Sequence, residues 1–315
     1  MSPLPAWLQT PPPTLGLQID THRVTAVLVE AGAASPVVRG FASAPLPSGA
    51  LVPSLTAHNV HQRDAIVSAM RRAVEQVGGR HRRVALAIPD TAAKVSLLPF
   101  EQIPASPRDL EQLIRLQLRK TVPFPADEAQ LAWSRGPMRG TGTTIVVAAM
   151  RRDVVQEYEG LCAAAGLHAG TVDLATFNVV NLAMRGGVTR TGDTLVVHAT
   201  PAYASVAVVR DDEMIFFRTR PADATEMVPD VVHQTRMFYE DRLNGTGFGQ
   251  ALLVASPDVE DRDGLARELQ ARLDQPVAAL DLASVATFSD RVGASDAVVG
   301  QIAAATGLLL REVGA

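Results

Sequence analysis

One pattern, met twice along the 315-residue chain, restricts its fold more than any single motif does. Residues 15–30 read LGLQIDTHRVTAVLVE, two short apolar runs flanking the polar knot Asp20-Thr21-His22-Arg23. Apolar runs broken by a few turn-forming polar residues predict a β-hairpin, and a third run over 37–42 extends it. After the pair Gly186-Gly187 the pattern restarts with DTLVVHAT, YASVAVVRD and EMIFFRT. Asp211-Asp212-Glu213 supplies the turn between the last two. Each set is followed by segments of helical period. Strands then helices, then strands and helices again, predict a duplicated α/β plan, although the two halves share little residue identity.

Local chemistry delimits the helices. Ile66, Met70, Val74 and Val77 recur at helical spacing, and Gly78-Gly79 stop a helix over 62–77. RVALAIPDTAAKVSLLPF reads as two strands joined around Pro89-Asp90. Ser106-Pro107-Arg108-Asp109 opens a helix with a cap, a proline at the first helical position and an acid in the first turn. Leu110, Leu113, Ile114 and Leu118 give that helix one apolar face, and Pro123 and Pro125 end it. A strand over 144–149, a helix from Asp153 to Ala165 stopped by Gly166, and a helix over 173–185 complete the first half. In the second half, helices over 224–242, 261–273 and 297–312 alternate with strands over 251–254 and 277–280. The proline-rich residues 1–13, with Trp7 and Leu8, predict a flexible tail.

Bulk properties exclude several functions. Hydrophobic residues make up 47% and charged residues 20%, so a sizeable core is within reach. A net charge of −4 and a pI near 6.0 give no electrostatic reason to expect nucleic acid. The single cysteine, Cys162, excludes an internal disulfide and a thiolate-rich metal site; its place in the helical VVQEYEGLCAAAG predicts a buried, inert thiol. No apolar run approaches the roughly 20 residues that span a bilayer. The first residues lack the basic stretch and apolar core of a secretory signal. The expectation is a cytoplasmic protein that reaches a membrane only through a partner. There is no G-x-x-x-x-G-K-[ST] phosphate loop and no G-x-S-x-G nucleophile elbow. GTGFG at 245–249 lacks the strand-to-helix setting of a dinucleotide site and reads as a mobile loop. His58 and His61 read as solvated residues at a helix entrance, not a metal pair. Arg80-His81-Arg82-Arg83 reads as a solvated connection between elements.

Four stretches, in order, resemble the PilM family of type IV pilus assembly and, more distantly, the division protein FtsA. RVALAIPDTAAKVSLLPFEQIPASPRDLEQLIRLQLRKTVPFPADEAQLAW resembles the subdomain that both insert where actin has a different one, and VPFPADE at 122–128 is its most PilM-like phrase. VVAAMRRDVVQEYEGLCAAAGLHAGTVDLATFNVVNLA resembles the return into the first domain. VVHATPAYASVAVVRDDEMIFFRTRP resembles the second phosphate hairpin, and AAATGLLLRE the closing helix. The likeness runs from Thr14 to Glu312. It implies an actin-like (ribonuclease H-like) duplicated two-domain α/β fold with an inserted FtsA/PilM-type subdomain and a central cleft. The implied parts are a first domain of 14–83 with 169–190 and 295–315, an insertion at 84–168, and a second domain at 191–294.

The resemblance also carries site expectations. Family members that bind ATP have G-hydrophobic-D-hydrophobic-G in the first hairpin and a basic residue five positions later. Aligned on Gly16, those positions hold Gln18, Asp20 and Thr25. Neutral Gln18 lacks the charge by which an aspartate orders Mg²⁺ and its waters. Asp20 puts a side chain and a negative charge where a glycine lets backbone N–H groups approach phosphate. The second hairpin's D-hydrophobic-G becomes His198-Ala199-Thr200, and the glycine cluster beneath adenine becomes Ala255-Ser256-Pro257. The expectation is a pseudo-ATPase without catalytic residues, metal or cofactor. The alternative is a nucleotide-binding or ATP-hydrolysing actin-like protein with atypical phosphate loops; a small-molecule kinase of the superfamily would need a catalytic acid that is not visible.

By the same resemblance the chain would be a cytoplasmic scaffold of a type IV pilus or related secretion platform, able to oligomerise. It would hold the cytoplasmic N-terminal segment of a PilN-like single-span inner-membrane protein. In the family the insertion borders the groove for that segment, which makes Arg115, Arg119, Lys120 and Phe124 the candidate partner residues.

Overall fold

In the computed structural model, which describes residues 12–32, 35–139, 142–222, 227–289 and 295–313, the strands gather into three sheets. The first half comprises β1 (Leu15–Ile19), β2 (Arg23–Glu30), β3 (Val37–Pro45), α1 (Arg63–Val77), β4 (Arg83–Ile88) and β5 (Lys94–Phe100). It continues through α2 (Pro107–Leu118), β6 (Ala129–Arg139), β7 (Gly142–Arg151), α3 (Arg152–Ala164), β8 (His168–Leu174) and α4 (Ala175–Arg185). The second half comprises β9 (Thr194–Ala199), β10 (Tyr203–Arg210), β11 (Glu213–Pro221), α5 (Val228–Arg242) and β12 (Gln250–Ala255). It ends with α6 (Arg262–Leu273), β13 (Ala278–Ala279), β14 (Thr287–Phe288) and α7 (Asp296–Val313).

The duplication is real at the level of topology. One sheet runs β14-β3-β2-β1-β4-β8 and another β11-β10-β9-β12-β13. Without β14 both are an antiparallel triplet whose first strand pairs in parallel with a fourth, and that with a fifth. The turn between β10 and β11 places Asp211 and Asp212 at φ 51° and 60°, the left-handed pair of a two-residue hairpin turn. The third sheet, β5-β7-β6, is the insertion. It closes over α2, whose Ser106 cap accepts from Asp109 N at 3.4 Å, and over its own core of Ile114, Leu118, Ile145 and Val147.

Between the two large sheets lie α4 and α7. One core joins Val27 and Ala85 of the first lobe, Val196 and Leu252 of the second, and Val179, Ile302 and Leu308 of the two helices. Close approach there depends on missing side chains. A Cβ at Gly300 would overlap the Ala255 carbonyl, and one at Gly307 the Asn178 carbonyl.

Several expectations are corrected. The insertion is narrower than 84–168. β4 pairs in parallel with β1, and Val154, Tyr158, Leu161 and Cys162 of α3 enter the first lobe's core, so only the segment 94–151 builds the separate sheet. The second lobe ends before 294, because β14 pairs with β3 in the first lobe's sheet. Strands β6 and β8 were not expected. The run AQLAWSRGPMR is interrupted by a register shift between Arg135 and Met138, and HAGTVDL has only three apolar residues, Ala169, Val172 and Leu174. The loop 245–249 is anchored: Gly249 N donates to Asp193 O at 2.8 Å, and Phe248 stacks on Tyr239 at 4.4 Å. Residues 1–11 of the expected tail, with Trp7 and Leu8, and residues 224–226 of the expected helix lie outside the described residues.

Candidate functional site

The hairpin tips of the two lobes face each other, and both are sealed by their own side chains. In the first, Asp20 N donates to Arg23 O at 2.9 Å and the Asp20 carboxylate accepts from Thr21 N. In the second, Thr200 N donates to Tyr203 O at 2.8 Å, and Thr200 Oγ1 accepts from Tyr203 N at 3.0 Å and Ala202 N at 3.3 Å. Asp20 and Thr200 are thus structural equivalents, each 7% exposed or less. Burial, the leading cause, raises the Asp20 carboxyl above its ordinary value. By register Gln18 lies opposite Thr25 as His198 lies opposite Ser205. Thr25 Oγ1 shares a 2.7 Å hydrogen bond with Ser43 Oγ, which also accepts from Gln301 Nε2 of α7. Gln18 Oε1 and Thr306 Oγ1 are buried polar atoms without a protein partner.

Two aspartates that follow the central parallel strands cross between the lobes. After β4 comes Pro89-Asp90; after β12 comes Ser256-Pro257-Asp258. Asp90 is fully buried, accepting from Thr176 N of α4 at 3.0 Å and from Ser205 Oγ of β10 at 2.5 Å. Desolvation pushes its carboxyl up to about 6, against the opposing effect of those hydrogen bonds. Thr176 Oγ1 in turn meets His198 Nδ1 at 2.7 Å. Burial pushes His198 down to about 4, so the ring is neutral near pH 7 and stands edge-on to Tyr203 at 5.9 Å. From the other lobe, Asp258 takes a two-pronged hydrogen bond from Arg23 of β2, with Nε at 2.6 Å from Oδ2 and Nη2 on Oδ1. The third expected position is covered as well: Ser256 N donates to Ala199 O at 2.8 Å, and the Ala255 carbonyl abuts Gly300.

Beside the tips a cavity of about 460 Å³ is lined by Thr21, His22, Thr91, Pro201 and Pro221 among others. It shares Pro53, Thr91 and Pro221 with a larger one of about 750 Å³. The larger cavity runs between two sheet edges: β5, which pairs only with β7, and β11, which pairs only with β10, among the described residues. Consecutive residues 216–221 line it, so side chains of both faces of β11 border it, as they do along a strand edge. Phe216 and Phe238, 5.2 Å apart, give it an aromatic wall. Lys94, Arg218 and Arg220 add positive charge, and Arg218 lies over the Phe216 ring.

The expected partner residues lie elsewhere on the insertion. Arg115 Nη1 donates to the carbonyls of Ala126 at 2.5 Å and Ala129 at 3.1 Å, and the guanidinium pairs with Glu111, so it staples α2 to its own subdomain. Arg119 and Lys120 are exposed, and Phe124 packs on the insertion's core. None of the four lines the cavity, although Pro123 does. His58 Nδ1 hydrogen-bonds Glu157 Oε1, and the other Glu157 oxygen accepts from Asn59 N and Val60 N. Cys162 is buried, its thiol pushed up to about 12 by desolvation. Sequence reasoning missed Asp90, Asp258 and Ser205, which read there as turn and strand residues. It also missed Phe238 of α5, which is 38% exposed.

A family model described as type IV pilus assembly protein PilM matches residues 16–242. No curated protein sequence matches the chain. Among solved structures, a PilM-PilN type IV pilus biogenesis complex superposes with a TM-score of 0.80 at 19% identity, covering 95% of this chain and 98% of that one. The ethanolamine utilization protein EutJ of Carboxydothermus hydrogenoformans gives 0.51 at 13% identity over 96% and 90%. The cytoplasmic domain of EpsL, an inner-membrane component of the type II secretion system of Vibrio cholerae, gives 0.51 at 10% over 95% and 93%. At such identities the likeness speaks for the fold, which is the actin-like one implied by the sequence.

Proposed function

The chain belongs to the family of the type IV pilus assembly protein PilM, and on that footing we propose that it is a non-catalytic scaffold. It would work at the cytoplasmic face of a type IV pilus or related secretion platform, holding the cytoplasmic segment of a PilN-like single-span membrane protein. The chemistry of the hairpin tips carries the non-catalytic half. A magnesium-bound triphosphate needs anionic oxygens for the cation and open backbone amides for the phosphates. Gln18 is neutral, and His198 is buried and neutral near pH 7. The amides of Thr21, Ala202 and Tyr203 are taken by Asp20 and Thr200. Asp20 would repel a polyanion, and the Arg23 guanidinium of the same tip is already paired with Asp258. These residues do not fit Mg-ATP, and no chemical step falls to the cleft.

The holding half is supported by family membership and by the groove between β5 and β11. Extended segments add to free sheet edges through backbone hydrogen bonds, while alternate side chains enter pockets. Phe216 and Phe238 offer such an apolar anchor, and the basic side chains would set register. No helix among the described residues is long and apolar enough to cross a membrane, so attachment would run through the partner. Calorimetric titration tests both halves, using the folded protein against a synthetic cytoplasmic segment of the organism's PilN-like protein and against Mg-ATP. The expected result is saturable peptide binding, weakened about tenfold by Phe238→Ala, and no heat with Mg-ATP. Saturable ATP binding would overturn the non-catalytic half; a silent peptide would overturn the other.

A further inference from the structure

We propose that the two lobes are locked together by reciprocal carboxylate latches, Asp90 reaching from the first lobe onto β10 and Asp258 from the second onto β2, so that the cleft is held shut without any ligand. The inference deepens the reading of the cleft as nucleotide-free and rests on it.

β4 and β12 occupy the same place in the duplicated plan, each parallel to the first strand of its lobe. The chain leaves β4 through Pro89-Asp90 and β12 through Ser256-Pro257-Asp258, which places Asp258 one residue further along than Asp90. Each aspartate then turns away from its own sheet to the opposite lobe's hairpin. The strands that receive them, β10 and β2, are again equivalents. Asp90 meets Ser205, which by register corresponds to Thr25, and Asp258 meets Arg23, which by tip geometry corresponds to Tyr203. The acids and their donors are offset between the lobes, so the duplicated scaffold makes two distinct crossings between equivalent strands, one onto β10 and one onto β2.

The two latches differ in strength for physical reasons. Arg23 and Asp258 are 28% and 18% exposed, and a two-pronged guanidinium–carboxylate pair is both directional and strong for a hydrogen bond. Partial shielding preserves attraction that an exposed pair loses to water. Asp90 is wholly buried and ties three elements at once: α4 through Thr176, β10 through Ser205, and β9 through the Thr176–His198 bond. In a cleft that a ligand bridges, the ligand supplies the groups joining one hairpin to the other. Here the protein's own carboxylates do so.

Amide hydrogen exchange on the full-length, nucleotide-free protein tests this. In the double variant Arg23→Ala/Ser205→Ala, amides at both tips, Asp20 to Thr25 and Thr200 to Ser205, should exchange about tenfold faster or more, while those of α1 and the inserted sheet keep their rates. The charge-exchanged variant Arg23→Asp/Asp258→Arg should return the first tip toward wild-type rates, which a merely structural role for either residue would not do. Arg23→Ala alone, at a partly exposed position, decides the matter if the double variant loosens everywhere. Tip rates unchanged in Arg23→Ala and in the double variant would overturn the proposal, as would a failure of the charge exchange to restore them. Because no nucleotide is present, this outcome is independent of the Mg-ATP titration.

Discussion

Asp90 and His198 sit two hydrogen bonds apart through Thr176, and burial shifts them in opposite directions, Asp90 from 3.8 up to about 6 and His198 from 6.5 down to about 4. Folded Asp90 holds its proton to higher pH than the unfolded residue does. Its contribution to stability is therefore complete below about pH 4 and lost as pH rises through about 6. His198 behaves in the reverse sense. Its contribution is complete above about pH 6.5 and lost as pH falls through about 4. Between these limits the two slopes oppose, each with a height of about 3 kcal/mol at most. Asp90→Asn should therefore make stability rise with pH, relative to wild type, between pH 4.5 and 6.5 (roughly the shared window). His198→Gln should make it fall. Urea unfolding at both pH values measures the difference, and variants that merely parallel wild type would show that neither group titrates in that window.

Among the elements, α7 does most to determine how the lobes meet. It packs against β1, β2, β4, α4 and β12, and it presents Gly300, Ala303, Ala304 and Gly307 rather than large side chains along much of its length. Each absence has a definite use. Gly300 admits the Ala255 carbonyl and Gly307 the Asn178 carbonyl, while Gly16 of β1 leaves room for Ala305 O and Leu309. Overpacking such a contact typically costs about 1–3 kcal/mol. Gly300→Val should lower unfolding free energy by about that amount. Gly40→Ala, where an added Cβ meets nothing within 4 Å, should change it by less than about 0.5 kcal/mol. Equal effects would mean that the helix adjusts freely and that its small residues do not set the lobe spacing. The local signals for α7 were readable in the chain, but its neighbours were not, because small residues mark close approach without naming what approaches.

At the scale of the whole molecule the packing has two parts of unequal kind. The lobes share a core that runs through α4 and α7, whereas the insertion has a core of its own. Trp133 packs on that second core, so in a Trp7→Phe background its fluorescence reports the insertion alone. Ile114→Ala, at a fully buried position, should destabilise the insertion by about 2–5 kcal/mol. It should shift the fluorescence transition to lower denaturant while leaving the main far-ultraviolet circular dichroism transition in place. A common shift of both would make the chain one cooperative unit.

The sequence by itself determined the parts whose signal is local. Alternating apolar runs with turn residues between them specify the two hairpin sets, helical spacing, caps or glycines specify α1, α2 and α3, and their repetition specifies the duplicated plan. Gln18, Asp20, His198 and Thr200 were singled out by the family resemblance, read onto hairpins that the sequence already defines. Strand β8, the bulged β6 and the true extent of the insertion were not visible, because those strands owe their state to the sheets they join. Nor could the chain reveal what Asp90 and Asp258 hold. Their partners lie 115 and 235 residues away, and a carboxylate after a proline reads the same whether it faces solvent or crosses a cleft. Only the packing of two sheets about α4 and α7 brings each acid to the opposite lobe, and burial there, not residue type, sets the protonation of Asp90 and His198.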